Sequence, residues 1–194
     1  MSLLRQLNFF LAITRSHGIL RRYFVVNGFD GALTMLGLII GFVIGPATSL
    51  SVVLSACLGA AIALGVSGVS SAYVSEVAER RRELAMLEDA MMHDLQESAH
   101  GEAARWVPML IALVNGSAPL LISLLVLLPL LLARAGVGLP FSPLYGSVAT
   151  AFGLLFLLGV FLGHISGISY LRSGLQTLFI ALVTTLLIYL FAGG

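Results

Sequence analysis

"VVNGFDGALTMLGLIIG", residues 25–41, runs on as "FVIG" to residue 45, and Asp30 is the one charged side chain in the whole stretch. At 1.5 Å per helical residue this run reaches about 30 Å, the thickness of a bilayer's hydrocarbon core. The rest of the chain repeats the pattern, with apolar windows of spanning length at residues 23–44, 50–73, 107–132, 145–162 and 175–191. Of the 194 residues 59% are hydrophobic and 10% charged, and the mean hydropathy is +1.05, which excludes a soluble globular domain. The sequence therefore predicts an all-α integral membrane protein with five transmembrane helices.

The formal net charge of +1 offers no field for nucleic acid, so that class of partner is set aside. Cys57 is the only cysteine and lies in an apolar run, which excludes an intrachain disulfide and a thiolate metal cluster. No cleavable signal is expected, because four arginines interrupt the apolar residues of the first 23 positions.

All ten basic residues are arginine, and their placement predicts the orientation. Arg5, Arg15, Arg21 and Arg22 precede the first span, Arg80, Arg81, Arg82 and Arg105 lie between the second and third, and Arg172 lies between the last two. Only Arg134 falls on the other side, so the N-terminus is expected in the cytoplasm and the C-terminus outside, in a multi-pass protein of a prokaryotic inner membrane.

Four segments follow. Residues 1–22 read as an amphipathic helix lying along the membrane interface, with Leu3, Leu4, Leu7, Phe10 and Leu11 on one face and Arg5, Asn8 and Arg15 largely opposite. Residues 23–73 hold the first two spans and residues 107–194 the last three. Between them, residues 74–106 form a short acidic cytoplasmic segment, in which the second helix is expected to continue to about residue 97 and to end near "SAHG", residues 98–101. The loop "ARAGVGLPFSP", residues 133–143, is a Gly/Pro connector.

Asp30 is the only Asp or Glu within any span, and a carboxylate there costs at least a few kcal/mol, so a compensating role is expected. At 100° per residue Asn27, Asp30, Thr34, Gly37, Gly41 and Gly45 fall within about 80° of one another. Gly37, Gly41 and Gly45 are spaced to let another backbone approach closely, as at a helix-packing or dimer contact. The second span offers a similar ladder in Ser55, Gly59, Ala63, Ser67 and Ser71. Two such helices, or two copies of each in a dimer, fit around a narrow polar path. The alternative is a structural, hydrogen-bonded Asp30 beside the helix-loosening Asn27-Gly28.

A second constellation lies in the acidic segment. On a helical wheel Glu76, Glu79, Glu83, Met86, His93, Asp94 and Glu97 share an arc of about 100°. Like charges so spaced weaken a helix, and a bound divalent ion relieves them; carboxylate oxygens suit hard cations and imidazole suits transition metals. This face is thus a candidate cytoplasmic collecting site, with a solvated acidic face partly neutralised by Arg80 and Arg82 as the alternative. His164, with Ser166 and Ser169, reads as an interfacial turn rather than a ligand, and Asn115 as either lining a path or, the commoner case, bonding a neighbouring helix.

Three stretches carry a resemblance: "NGFDGALTMLGLIIG", "SSAYVSEVAERRREL" and "GHISGISYLRSGLQTLFIALVTTLLIYL". Together they resemble the vacuolar iron transporter family of divalent-metal/proton antiporters, over all five spans. The resemblance implies a homodimer whose first two helices from each subunit form the path, a cytoplasmic domain that gathers metal, and a transport aspartate matching Asp30. Where that family has a path methionine this chain has Gly68, where it has a glutamate before Tyr-Val-Ser it has Ala72, and an acid near the start of the first helix is replaced by Tyr23.

The expected function is export of Fe²⁺ or Mn²⁺ from the cytosol in exchange for protons. Asp30 would hold the partly dehydrated ion, with Asn27, Thr34, Ser67 and Ser71 supplying neutral oxygens. The ion is cargo, and no permanently bound cofactor is expected; the partners are the lipid bilayer, a second copy of the chain, divalent metal ions and protons. A metal-responsive membrane adaptor, anchored by its five spans and without transport activity, is the alternative. An enzyme is not expected, because a lone Asp provides neither a paired acid and base nor a nucleophile triad.

Overall fold

The computed structural model of the chain describes residues 3–14 and 16–192, and the side chains of these except at residues 3, 4, 6–8 and 17. Among the described residues seven helices follow one another: α1 (Leu3–Ile13), α2 (His17–Ile44), α3 (Leu50–Met91), α4 (Ala99–Val126), α5 (Leu128–Arg134), α6 (Pro143–Ser166) and α7 (Tyr170–Ala192). No strand occurs among the described residues. Five of these helices, α2, α3, α4, α6 and α7, are long and apolar enough to cross a bilayer, and the chain is a multi-pass integral membrane protein.

The boundaries have local causes. Gly45-Pro46 ends α2, since proline cannot extend a helix whose backbone donor it lacks. The expected third span, 107–132, is not one helix. Pro129 removes an amide donor and crowds the preceding turn, so α4 gives way to α5 at Leu127. Hydrogen bonds from Leu127 N–H to the Ser123 carbonyl and from Leu131 N–H to the Leu127 carbonyl, both 3.0 Å, carry the chain through this break.

The long helix α3 also differs from expectation at its end. It stops at Met91, where Met92 takes a left-handed conformation with φ 50°, and not near residue 97. The Ser98 hydroxyl oxygen accepts the His100 and Gly101 amides at 3.2 and 3.4 Å, so "SAHG" opens α4 and does not close α3.

By contact density the chain forms two compact units. One comprises the residues through Phe24 together with Gly65–Ser117. Its apolar core is Phe10, Leu11, Ala103, Val107 and Ile111. On the apolar face of α1, Phe10 and Leu11 are buried against α4; Leu3, Leu4, Leu7, Asn8 and Arg15 lie outside the described side chains. In this unit α3 and α4 approach closely at glycine. A Cβ on Gly116 would collide with the Gly65 carbonyl oxygen and the Val69 side chain, and Asn115 donates to the Gly68 carbonyl at 2.8 Å. Asn115 thus bonds a neighbouring helix, as glycine-lined helix contacts in membranes often do.

The other unit holds Val25–Leu64 and the residues from Ala118 onward. Ala32, Met35, Leu36 and Ile39 of α2 pack with Val53, Leu54, Cys57 and Ala61 of α3, Val126 of α4, Leu127, Leu130 of α5, Ala151 and Leu155 of α6, and Ala181 of α7. Gly31 sits on the backbone of Pro119, where a Cβ would come within 2.7 Å of the carbonyl oxygen. Helices α6 and α7 form a tight hairpin closed by Gly167 in the left-handed conformation, φ 67°. The outer face of α7, including Phe179, Leu182, Leu186 and Leu190, is exposed and apolar, as contact with a lipid bilayer requires.

Candidate functional site

The buried face of α2 and its polar face point in opposite directions. Taking 100° per residue, Asp30 lies roughly 170° from the mean direction of Ala32, Met35, Leu36 and Ile39. Its side chain is accordingly exposed on the surface of its unit, and among the described residues it makes no hydrogen bond or ion pair. Asn27 and Thr34 are partly buried on the same face. The Thr34 hydroxyl has no partner among the described residues, whereas Thr150, Thr184 and Thr185 each donate to the carbonyl four residues back at 2.9 Å. One turn from Asp30 there is thus a hydroxyl not committed to its own helix.

The glycines below it pack on little of this chain. A Cβ on Gly41 would meet nothing within 4 Å, and one on Gly37 would make ordinary contact with Ile188 at 3.5 Å. Gly37, Gly41 and Gly45 instead line a shallow groove of about 420 Å³ with Leu38, Phe42, Pro46 and Thr48. On α3 the ladder Ser55, Gly59, Ala63, Ser67 and Ser71 is exposed along its whole length, and a Cβ on Gly59 also meets nothing within 4 Å. Ser71 donates to the Ser67 carbonyl at 2.8 Å, which leaves its oxygen lone pairs free to accept. Asn27, Asp30 and Thr34 belong to one compact unit, Ser67 and Ser71 to the other.

The acidic segment is arranged differently from the sequence reading. Glu76 is only 7% exposed and Arg80 4%. Arg80 bonds Glu76 Oε2 at 3.5 Å and Glu83 Oε2 at 2.6 Å, and Tyr23 donates to Glu76 Oε1 at 3.4 Å. Because α3 ends at Met91, His93, Asp94 and Glu97 lie beyond the helix on which they shared a face with Glu76, Glu79, Glu83 and Met86. Glu79, His93, Asp94 and Glu97 are exposed, and Asp94 Oδ1 accepts the Gln96 amide at 2.8 Å. Among the described residues no group of three or more His, Cys, Asp or Glu side chains is placed to hold a metal ion.

A protein of Methanocaldococcus jannaschii, MJ0645, described as uncharacterized, is 30% identical over 172 residues, covering 87% of this chain and 86% of that protein. The chain belongs to the family of that protein. The match to MJ0645 extends over most of both chains, so the likeness concerns the multi-helix chain and not an isolated motif. No protein-family model matches the chain, and no solved structure is significantly similar to it.

Two features of this MJ0645 relative went unrecognised in its sequence. The first is the burial of Glu76 and Arg80 within the Tyr23–Glu76–Arg80–Glu83 cluster; the i,i+4 and i,i+3 spacing of Arg80 from two acids signals the pairing but not the burial. The second is a cavity of about 470 Å³ lined by Tyr73, Val77, Arg81, Leu84, Glu88, Gln96, Gly101, Ala104 and Arg105, whose residues no local pattern connects.

Proposed function

We propose that the protein exports a divalent transition-metal ion, Fe²⁺ or Mn²⁺, from the cytosol in exchange for protons, with Asp30 as the membrane ligand. The observation that carries this reading is the exposure of Asp30 on the face of α2 away from the packed core. A carboxylate directed into lipid is costly, so this face is covered by something polar: water, an ion, or a second subunit. The exposed ladders of α2 and α3, on which this chain packs little at Gly37 and nothing at Gly41 or Gly59, suit a second copy. In such a homodimer two Asp30 carboxylates, with Asn27 and Thr34 from each subunit, supply a hard, oxygen-rich environment for a divalent ion.

Proton coupling follows from the same chemistry: when the ion leaves, Asp30 takes up a proton and the site returns without an uncompensated charge. The arginines at the N-terminal and α3–α4 ends support a cytoplasmic N-terminus. Glu79, Asp94 and Glu97, exposed beyond the bilayer, raise the local cation concentration at the cytoplasmic entrance. The resemblance to vacuolar iron transporters supports this reading of Asp30, and the absence of their path methionine favours an oxygen-dominated ligand set.

The test is Mn²⁺ and Fe²⁺ uptake into proteoliposomes under imposed pH gradients. Saturable uptake that accelerates when the proton gradient opposes the metal gradient is expected. Tight metal binding without flux would replace the transporter by a metal-responsive membrane adaptor.

A further inference from the structure

The cavity beside the α3–α4 turn has the charge and position of a phosphate site. Arg81 and Arg105 line it together with Tyr73 and Gln96. Arg81 has Val77, Ala78, Leu84 and Ala85 at its helical i±3 and i±4 positions, so its own helix offers it no acid. Neither arginine forms an ion pair among the described residues; Arg105 Nη2 donates to the Gln96 carbonyl at 3.4 Å. The one acid lining the cavity, Glu88, accepts the Leu95 amide at 3.0 Å. Glu102, three residues before Arg105, is exposed and not paired with it. Two cations with a neighbouring phenol and amide therefore face one carboxylate already engaged with backbone.

The cavity's position narrows the ligand. Tyr73 is the last aromatic of the apolar part of α3, and Trp106, 53% exposed, stands where α4 becomes apolar. Aromatic side chains at such transitions mark the headgroup level of a bilayer. Side chains on a helix lean toward its N-terminus, so Arg81 leans back toward Tyr73 and the membrane, while Arg105 leans away from it toward Gln96. Arginine's planar fork suits phosphate oxygens, and its aliphatic stem reaches from the headgroup layer.

We propose that this cavity binds the phosphate group of an anionic phospholipid, seated between Arg81 and Arg105. The site is separate from Asp30 and does not depend on metal transport. Lipid binding to the full-length protein in dodecyl maltoside, followed by native mass spectrometry and by thermal shift, tests it with three probes: phosphatidylglycerol, phosphatidylcholine and inorganic phosphate. Saturable retention of phosphatidylglycerol over phosphatidylcholine is expected. The Arg81→Gln/Arg105→Gln double variant should weaken it about 30-fold, since each arginine near an anionic headgroup contributes roughly fivefold. Arg172→Gln, which alters an arginine outside the cavity, should leave it unchanged. Inorganic phosphate protecting as well as the lipid would overturn the lipid assignment and make the cavity a site for a soluble phosphate. Equal retention of both lipids by the wild type, which requires no variant to fold, would overturn the proposal, as would undiminished phosphatidylglycerol binding in the double variant.

Discussion

Replacing Arg80 by methionine should be far more damaging than replacing either acid that it holds. Arg80 is 4% exposed and bonds Glu76 at 3.5 Å and Glu83 at 2.6 Å. Methionine fills comparable volume but leaves Glu76, 7% exposed, with only the 3.4 Å hydrogen bond from Tyr23. Stranding one partner of a buried pair costs about 3–5 kcal/mol. Glu76→Gln keeps the Tyr23 bond and leaves Arg80 paired with Glu83, so a loss of about 2 kcal/mol is expected, the contribution of one charged hydrogen bond. The Glu83 side chain is 43% exposed, and Glu83→Gln should cost no more than about 1 kcal/mol. Equilibrium unfolding in mixed micelles, titrated with SDS and followed by the fluorescence of the single tryptophan, measures the series. The predicted order is Arg80→Met, then Glu76→Gln, then Glu83→Gln. Three losses within about 0.5 kcal/mol of one another, or the largest loss at Glu83, would refute the assignment of Arg80 as the centre of a buried ionic cluster.

Gly31→Val and Gly41→Leu should separate packing within the chain from packing outside it. The first drives a side chain into the Pro119 backbone and should cost about 1–3 kcal/mol in the same unfolding assay. At Gly41 an added Cβ meets nothing within 4 Å, so the second should change monomer stability little while the dimer population, measured by light scattering in detergent, falls. Met92→Gly relieves a left-handed residue that is 95% exposed and should stabilise the end of α3 by up to about 1 kcal/mol, read as raised helicity on thermal melting. Combining Glu79→Gln, Asp94→Asn and Glu97→Gln should raise the metal concentration for half-maximal flux without abolishing flux, because Asp30 is untouched.

The membrane class and the five long helices were legible because apolar runs of bilayer length have few other physical uses. What eluded the sequence was set by single residues acting over distance. Pro129 divides the expected third span, and its effect is local, but a spanning window averages over it. Met92 ends α3 in a conformation that propensity assigns to glycine or asparagine, so the periodic acidic pattern was extended past the true helix. Glycine contacts divided in the same way. The regular Gly37-Gly41-Gly45 spacing stands out in the sequence, yet Gly31 and Gly116, which no such spacing marks, are each pressed against a helix remote in sequence. The face on which Asp30 lies was readable from helical angles alone, because Asn27, Asp30, Thr34 and the three glycines cluster on one arc of α2. Its exposure was not, since that depends on where α3, α4 and α6 pack.

The central claim is that Asp30 binds the transported ion, and Asp30→Asn tests it most directly because the amide keeps the carboxylate's shape and loses its charge. Mn²⁺ flux should be measured in proteoliposomes for the wild type and Asp30→Asn at equal reconstitution, with light scattering confirming the same oligomeric state for both. Flux in the wild type and none above the empty-liposome background in Asp30→Asn is the predicted result. Wild-type flux retained in Asp30→Asn would contradict the assignment.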